Sequence, residues 1–462
     1  MHDELATLTD VRTVLASGAL SAQDIAKLTL ACIERRNGEL RAFAAIHAER
    51  ALADARHVDA LRKIGVRLGP LAGAPIGIKD LIDVADLPTR AGSLTRADAP
   101  AAVRDAPAVE RLRAAGAIIV GKTHTVEYAF GGWGTNETVG TPRNPRDMNQ
   151  PRVPGGSSSG SGVAVAAGLC VAALGSDTGG SVRLPASFCG VVGLKTTFGL
   201  IDKSGVMPLA PMLDSLGPLT NSVADAAALL GVLAPAQDAR RPGWTPRLDA
   251  LAYGQASGIA GRRIAVIADP GVDLHADTAQ VFAQTRERLK ALGALEIEMS
   301  LPWALRDLSA PCGDLMAIEA YRHYGHLAEA DPSLLGAPVR NRILAGRAVP
   351  AHRLMSLLED REDRKREMAL LFERFDAILT PTTPFPAPTL ADHDEDASPG
   401  GFTRFVNYLD LAALSLPMGA TAGGLPIGMQ IVVPGYGEPM ALEIGAALET
   451  DRGSWRLASD GA

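Results

Sequence analysis

Two serine-bearing turns and one lysine carry the chemistry that this sequence offers. Gly175–Ser187 reads GSDTGGSVRLPAS, and the paired glycines before Ser181 let the N–H groups of Thr178, Gly179 and Gly180 turn toward one point. Such a nest stabilises an oxyanion growing on a carbonyl that the Ser181 hydroxyl attacks; a purely structural turn would use the same residues. Lys79 stands inside the apolar run GAPIGIKDLID. If Pro75–Ile82 is extended, Ile76, Ile78 and Asp80 face one way while Gly77 and Lys79 face the other. Burial would lower the amine from its reference pKa of about 10.4 and leave part of it neutral, able to accept a proton. An ion-paired or snorkelling lysine is the structural alternative. The third stretch, PGGSSSGSG at Pro154–Gly162, has the composition of a linker, a phosphate cradle or a reactive serine turn.

Two familiar patterns fail on their surroundings. Gly116–Thr123, GAIIVGKT, matches the phosphate-loop spacing GxxxxGK[ST], but Ala117, Ile118, Ile119 and Val120 favour a buried strand. The helical AVERLRAA before it makes Gly116 a helix stop, which reverses the strand–loop–helix order that nucleotide phosphates need. Gly156–Gly160 satisfies GxSxG, the nucleophile elbow, yet the preceding RDMNQPRVPG carries two prolines and is no central strand. No histidine has a setting that suits a triad; His352 and His393 lie among ordinary polar residues. Asp392, Asp394 and Asp396 alternate like calcium ligands, but Ala397 and Thr403 occupy the places that require glycine and glutamate.

The elements needed to position these residues are those of an α/β fold. At 462 residues and 47% hydrophobic, the chain can bury a large core, and its net charge of −7 argues against a nucleic-acid or anionic-membrane surface. The four cysteines, Cys32, Cys170, Cys189 and Cys312, are too scattered for a zinc cage or disulfide framework. No basic-then-apolar leader opens the sequence, and the most apolar window, Gly162–Gly175, is too short to cross a bilayer. A reduced, cytoplasmic protein is expected. The first 70 residues read as helices, with Ser21 and Asp24 forming a capping-box-like start. FAAIHAERALADARHVDALRK continues in the same helical manner. From Leu71, short apolar runs punctuated by glycine alternate with helical patterns, which predicts strands at GAPIGIKDLIDV, GAIIVGK and GVVGLK. A second α/β stretch begins near Arg262, helices dominate about 276–377, and FDAILTP and GGLPIGMQIVV read as strands, the latter followed by a terminal helix. The mixed-sign run Glu359–Glu367 is a solvated helix face.

The segment GGSSSGSGVAVAAGLCVAALGSDTGGSVRLPASFCGVVGLKTTFG closely resembles the signature of the amidase signature family. PIGIKDLIDVADLPTRAGS, AAGAIIVGKTHTVEYAFGGWGTN, GTPRNP and DSLGPLTNSVADAA resemble its flanking blocks in order, and NYLDLAALSLPMG with GLPIGMQIV its C-terminal block. The likeness is dense over residues 70–235 and 375–450. It implies one amidase domain over 1–462: N-terminal helices to 70, a signature core over 71–235, a variable, mainly helical region over 236–375, and a strand and helix over 376–450 that complete the core. The implied fold is a large, mixed, twisted β-sheet covered on both faces by helices.

The resemblance also implies a serine–serine–lysine triad. Lys79 matches the family's lysine, Ser157 its relay serine, behind a cis Gly156–Ser157 peptide, and Ser181 its nucleophile. Thr178, Gly179, Gly180 and Ser181 would form the oxyanion hole. No metal or organic cofactor is implied. Arg183 anchors the nucleophile loop or pairs with a substrate carboxylate, and Trp133 lines the acyl pocket or belongs to the core. Ser176 and Asp177 are expected to brace the loop. The family contains stand-alone amidases, ureide and carbamate hydrolases, membrane-anchored members, and the glutaminase component of glutamyl-tRNA(Gln) amidotransferase. GKTHTVEYAFGGWGTN and Asn221 depart from the pattern of that component, so a hydrolase of a small linear amide, alone or as a homodimer, is expected. The alternatives are the amidotransferase component, which would need partner chains, and a ureide or carbamate hydrolase. A nucleotide-binding protein using Gly116–Thr123 is the reading from another class.

Overall fold

The computed structural model describes residues 5–234, 243–255 and 257–453. Its strands, in chain order, are β1 (Phe43–Ile46), β2 (Pro75–Lys79), β3 (Ile118–Thr123), β4 (Ala172–Asp177), β5 (Val192–Lys195), β6 (Ser215–Thr220), β7 (Arg263–Ile267), β8 (Leu295–Met299), β9 (Ala377–Pro381), β10 (Ala412–Ala420) and β11 (Pro426–Val433). They form one mixed sheet in the order β1-β3-β2-β4-β6-β5-β10-β11-β9-β7-β8. Every residue of β2, β3, β4, β9 and β11 is buried, as expected of continuous apolar runs covered on both faces. Alternate side chains feed two separate cores: Ala412 and Leu414 pack into one, Ala413 into the other, and Ile431 and Val433 lie opposite Val432. Helices therefore cover both faces of the sheet.

Register delivers the lysine. β2 runs parallel to β4, with Ile76, Gly77 and Ile78 opposite Ala172, Ala173 and Leu174. Both strands end at the same edge, so Lys79, at the end of β2, arrives beside the end of β4. That edge, at the carboxyl ends of parallel strands, is where open α/β sheets place their ligands.

Most expected elements are present. Ser21 and Asp24 form a reciprocal capping box on the helix Ala22–Leu40, and the terminal helix spans Glu438–Arg452. Gly116 has φ +91° behind the helix Pro107–Ala114, and the phosphate-loop match continues as β3. Lys122 is buried and lies 2.9 Å from Asp80, so it is held as a structural ion pair. Asp392, Asp394 and Asp396 remain an exposed loop. Two expectations are corrected. Phe43–Ile46 is not the start of a helix but a strand paired antiparallel with β3, the helix beginning only at Ala48. Leu295–Met299 interrupts the helical stretch as an edge strand parallel to β7. Both segments are short and lie at the two edges of the sheet, where pairing rather than local pattern decides the conformation.

Candidate active site

Lys79 has no solvent exposure, and its Nζ lies 2.7 Å from Ser157 Oγ and 2.8 Å from Ser176 Oγ. Burial lowers its pKa from 10.5 to about 7, although Asp177 and Asp214 pull it upward. At neutral pH a large share of this amine is uncharged and has a lone pair within reach of a serine proton.

Ser157 is presented by a turn fixed at both ends. The Gly156–Ser157 peptide is cis. The Ser157 carbonyl accepts from the Val126 N–H and the Thr125 hydroxyl, and the Gly155 and Gly156 N–H groups donate to the Trp133 and Gly132 carbonyls. Glycine is required at 156: a Cβ there would sit 2.7 Å from the Gly134 nitrogen and 2.9 Å from the Gly131 oxygen. The helix Ser159–Ala166 follows directly. Ser158, the serine of the elbow pattern, donates to the Ser176 carbonyl and accepts from the Ser176 N–H, which makes it a brace.

Ser181 lies on the loop after β4 and is bound to the Ser157 turn through the Ser158 N–H, which donates to the Ser181 carbonyl at 3.1 Å. Lys79 and Ser157 are sealed, whereas Ser181 is 7% exposed. Of the three, Ser181 alone opens toward an incoming molecule. A hydrogen bond between the Ser157 and Ser181 hydroxyls is not formed in this structure. A serine oxygen turns on a single bond, and such contacts close when the substrate is bound.

Asp177 organises this loop. Its carboxylate accepts from the N–H groups of Gly180 (2.8 Å), Val182 (3.0 Å) and Arg183 (3.4 Å), from both Nε and Nη2 of Arg183, and from Asn407 Nδ2. Burial raises this carboxyl, but the Arg183 guanidinium, assisted by Lys195, overrides it and holds Asp177 below the usual carboxylate range. Arg183 is completely buried and also donates to Gln430 Oε1, Asn407 Oδ1 and the Thr403 carbonyl.

Two open alternatives are decided and one assignment changes as a result. Arg183 cannot receive a substrate carboxylate, because it is enclosed and its donors are taken. Trp133 is stacked beside Phe188 and Phe385 and donates from Nε1 to the Ala397 carbonyl, so it is core and not an open pocket wall. The Gly180 N–H points at Asp177 and is unavailable to an oxyanion. Gly180 is needed for its conformation: its φ is +132°, and a Cβ would lie 2.3 Å from Thr403 Oγ1. The N–H groups of Thr178, Gly179 and Ser181 meet no acceptor among the described residues. Sequence reasoning missed Ser176 as the second partner of Lys79; its position opposite the end of β2 was the available signal. Thr403, Asn407 and Gln430, which reach Arg183 from 220 or more residues away, gave no local signal.

Asp177→Asn should cost about 3–5 kcal/mol in denaturant unfolding, because it leaves a buried guanidinium without its carboxylate. It should also move the acid limb of the activity profile to lower pH, since Asp177 raises the pKa of Lys79. Unchanged stability would show that Asn407 and Gln430 suffice for Arg183.

The amidase family model matches residues 24–442. The chain belongs to the amidase family. It is an enzyme of amide C–N bond hydrolysis. Among relatives, a glutamyl-tRNA(Gln) amidotransferase subunit of Symbiobacterium thermophilum is 37% identical, covering 94% of each chain; its counterpart in Acidobacterium capsulatum is 34% identical, covering 96% of this chain and 98% of the relative. A solved structure described as a vestigial protein complex that reveals the evolutionary origins of an s-triazine catabolic enzyme is 31% identical, with TM-score 0.89 over 98% of this chain and 100% of that one. Native peptide amidase from Stenotrophomonas maltophilia is 29% identical, with TM-score 0.82 over 98% and 99%. Among the described residues, no helix of this amidase is long and apolar enough to cross a membrane, and no cluster of three or more His, Cys, Asp or Glu side chains could hold a metal ion.

Proposed function

We propose that this amidase hydrolyses a small linear carboxamide, in the cytoplasm, through an acyl-enzyme on Ser181. Neutral Lys79 takes the Ser157 proton while Ser157 takes that of Ser181, and the Ser181 oxygen attacks the carbonyl carbon. The oxyanion is received by the N–H groups of Thr178, Gly179 and Ser181. The proton held by Lys79 returns through Ser157 to the leaving nitrogen, the C–N bond breaks, and ammonia or an amine departs. Water, activated by the same file, then splits the Ser181 ester. The observation that carries this reading is the buried Lys79 amine, with a pKa near 7, at 2.7 Å from Ser157. Ammonia release screened over aliphatic amides, benzamide, glutamine, ureides and carbamates tests it. A fluorophosphonate should label Ser181, read by peptide mass spectrometry, and labelling at another serine would refute the assignment.

A second reading, the glutaminase component of a glutamyl-tRNA(Gln) amidotransferase, is favoured by the 37% identity to a chain of such an enzyme. It requires partner chains and glutamine as donor. Affinity purification from the native cell followed by a glutaminase assay separates the two: a free-standing chain without glutaminase activity removes the second.

A further inference from the structure

The wall facing the Ser181 loop contains a cation that the protein itself does not neutralise. A Cβ built on Gly179 would meet Met316 Cε at 3.4 Å and Sδ at 3.5 Å, and Arg404 Cγ at 3.6 Å. The Arg404 stem therefore packs against the residue whose N–H is a candidate oxyanion donor, and its head reaches the first turn of the helix Ser309–Ala330. There Nη1 donates to the Ser309 carbonyl at 3.1 Å and lies beside Gly313. Nε and Nη2 meet no acceptor among the described residues, and no carboxylate there pairs with Arg404.

The neighbouring arginines are treated differently. Arg183 faces Asp177, Arg342 faces Glu395 and Arg361 faces Asp410. Arg146, which also lacks a carboxylate, spends its fork on the Cys189 and Gly190 carbonyls. Arg404 is half-buried, and its vacant donors are not among the sealed, unsatisfied atoms, so they open onto accessible space. Burial lowers its pKa; Cys312 opposes that, Arg342 adds to it, and no carboxylate takes part. A guanidinium so placed has two parallel N–H donors suited to a carboxylate, and an anion arriving there relieves an uncompensated charge.

We infer that Arg404 receives a carboxylate on the acyl side of the substrate, so that the amides this enzyme prefers are short ω-carboxylated ones. This rests on the reading of Ser181 as nucleophile, because that reading sets the scissile carbonyl against Gly179. It also rests on ammonia being the leaving group, which puts the remaining substrate on the acyl side.

The test compares monoamides of dicarboxylic acids, oxamate to glutaramate, each with its neutral diamide. The ratio of kcat/KM, acid over diamide, is measured for the wild type, Arg404→Met and Arg404→Lys. For at least one chain length the wild-type ratio should exceed about 10, collapse toward 1 in Arg404→Met, and be partly kept in Arg404→Lys, which retains charge but loses the fork. If the methionine variant fails to fold, the wild-type and lysine ratios decide. Binding to Ser181→Ala by calorimetry gives the same comparison without turnover, the acid again binding at least tenfold tighter. Equal treatment of acids and diamides by the wild type, or a ratio unmoved in Arg404→Met, overturns the inference and leaves amide hydrolysis standing. No ammonia from any amide and no binding of either ligand would overturn both readings.

Discussion

Ser181→Ala should lower kcat/KM for any amide that the wild type hydrolyses by a factor of about 10⁴ or more, which is what removing a nucleophile costs where the residues act as one unit. The melting temperature should stay within about 1 °C, because the Ser181 hydroxyl makes no hydrogen bond among the described residues, so its removal leaves no buried partner unsatisfied. That combination separates chemistry from folding. Retained turnover by a folded variant would remove Ser181 from the mechanism, and the attacking oxygen would have to be sought elsewhere.

Lys79→Met should abolish activity and, at neutral pH, make the protein more stable. The folded amine has a pKa of about 7, whereas an unfolded lysine titrates near 10.5. Between those values the unfolded chain holds one more proton than the native chain, so wild-type stability rises with pH by up to about 1.4 kcal/mol per unit. Below pH 7 both states are protonated and the full penalty of burying the charge applies. Methionine removes a penalty on the order of 4 kcal/mol at pH 7, set against about 1 kcal/mol for each hydrogen bond lost at Ser157 and Ser176. The variant should therefore lead by about 1–3 kcal/mol at pH 7, and that lead should shrink toward pH 10. The wild-type kcat/KM should climb through a midpoint near pH 7. A variant less stable than the wild type at every pH, with a flat activity profile from pH 5 to 9, would show that Lys79 keeps its charge.

How far the sequence could be read depended on how local each determinant was. Strands of continuous apolar residues, such as Ala377–Pro381 and Pro426–Val433, and caps such as Ser21 with Asp24 announce themselves within a few residues. The nearness of Lys79 to Ser157 was legible only through the resemblance of their segments to the amidase signature; the parallel pairing of β2 with β4, which brings Lys79 to that edge, shows only in the fold. The positions left open depended on distant partners. Arg183 stayed open between loop anchor and carboxylate partner because Asn407 and Gln430 cannot be foreseen from a loop more than 220 residues earlier. The Gly180 N–H was misread despite a local partner: Asp177, three residues earlier, folds its carboxylate back onto it, a turn that aspartate side chains favour. Trp133 stayed open between pocket wall and core because its aromatic neighbours, Phe188 and Phe385, come from other segments. Phe43–Ile46 and Leu295–Met299 were missed because a short edge strand is defined by its neighbour in the sheet.

The position of β10 and β11 governs when this catalyst comes alive. They are the last strands in the chain, yet they sit between β5 and β9 and join the two halves of the sheet. A nascent chain halted on the ribosome near residue 400 would already display Lys79, Ser157 and Ser181. It would also carry two raw sheet margins, and an arginine inside it would still await Thr403, Asn407 and Gln430. The seam that shuts the molecule is thus the same stroke that arms it, and fragments released early are both inert and sticky.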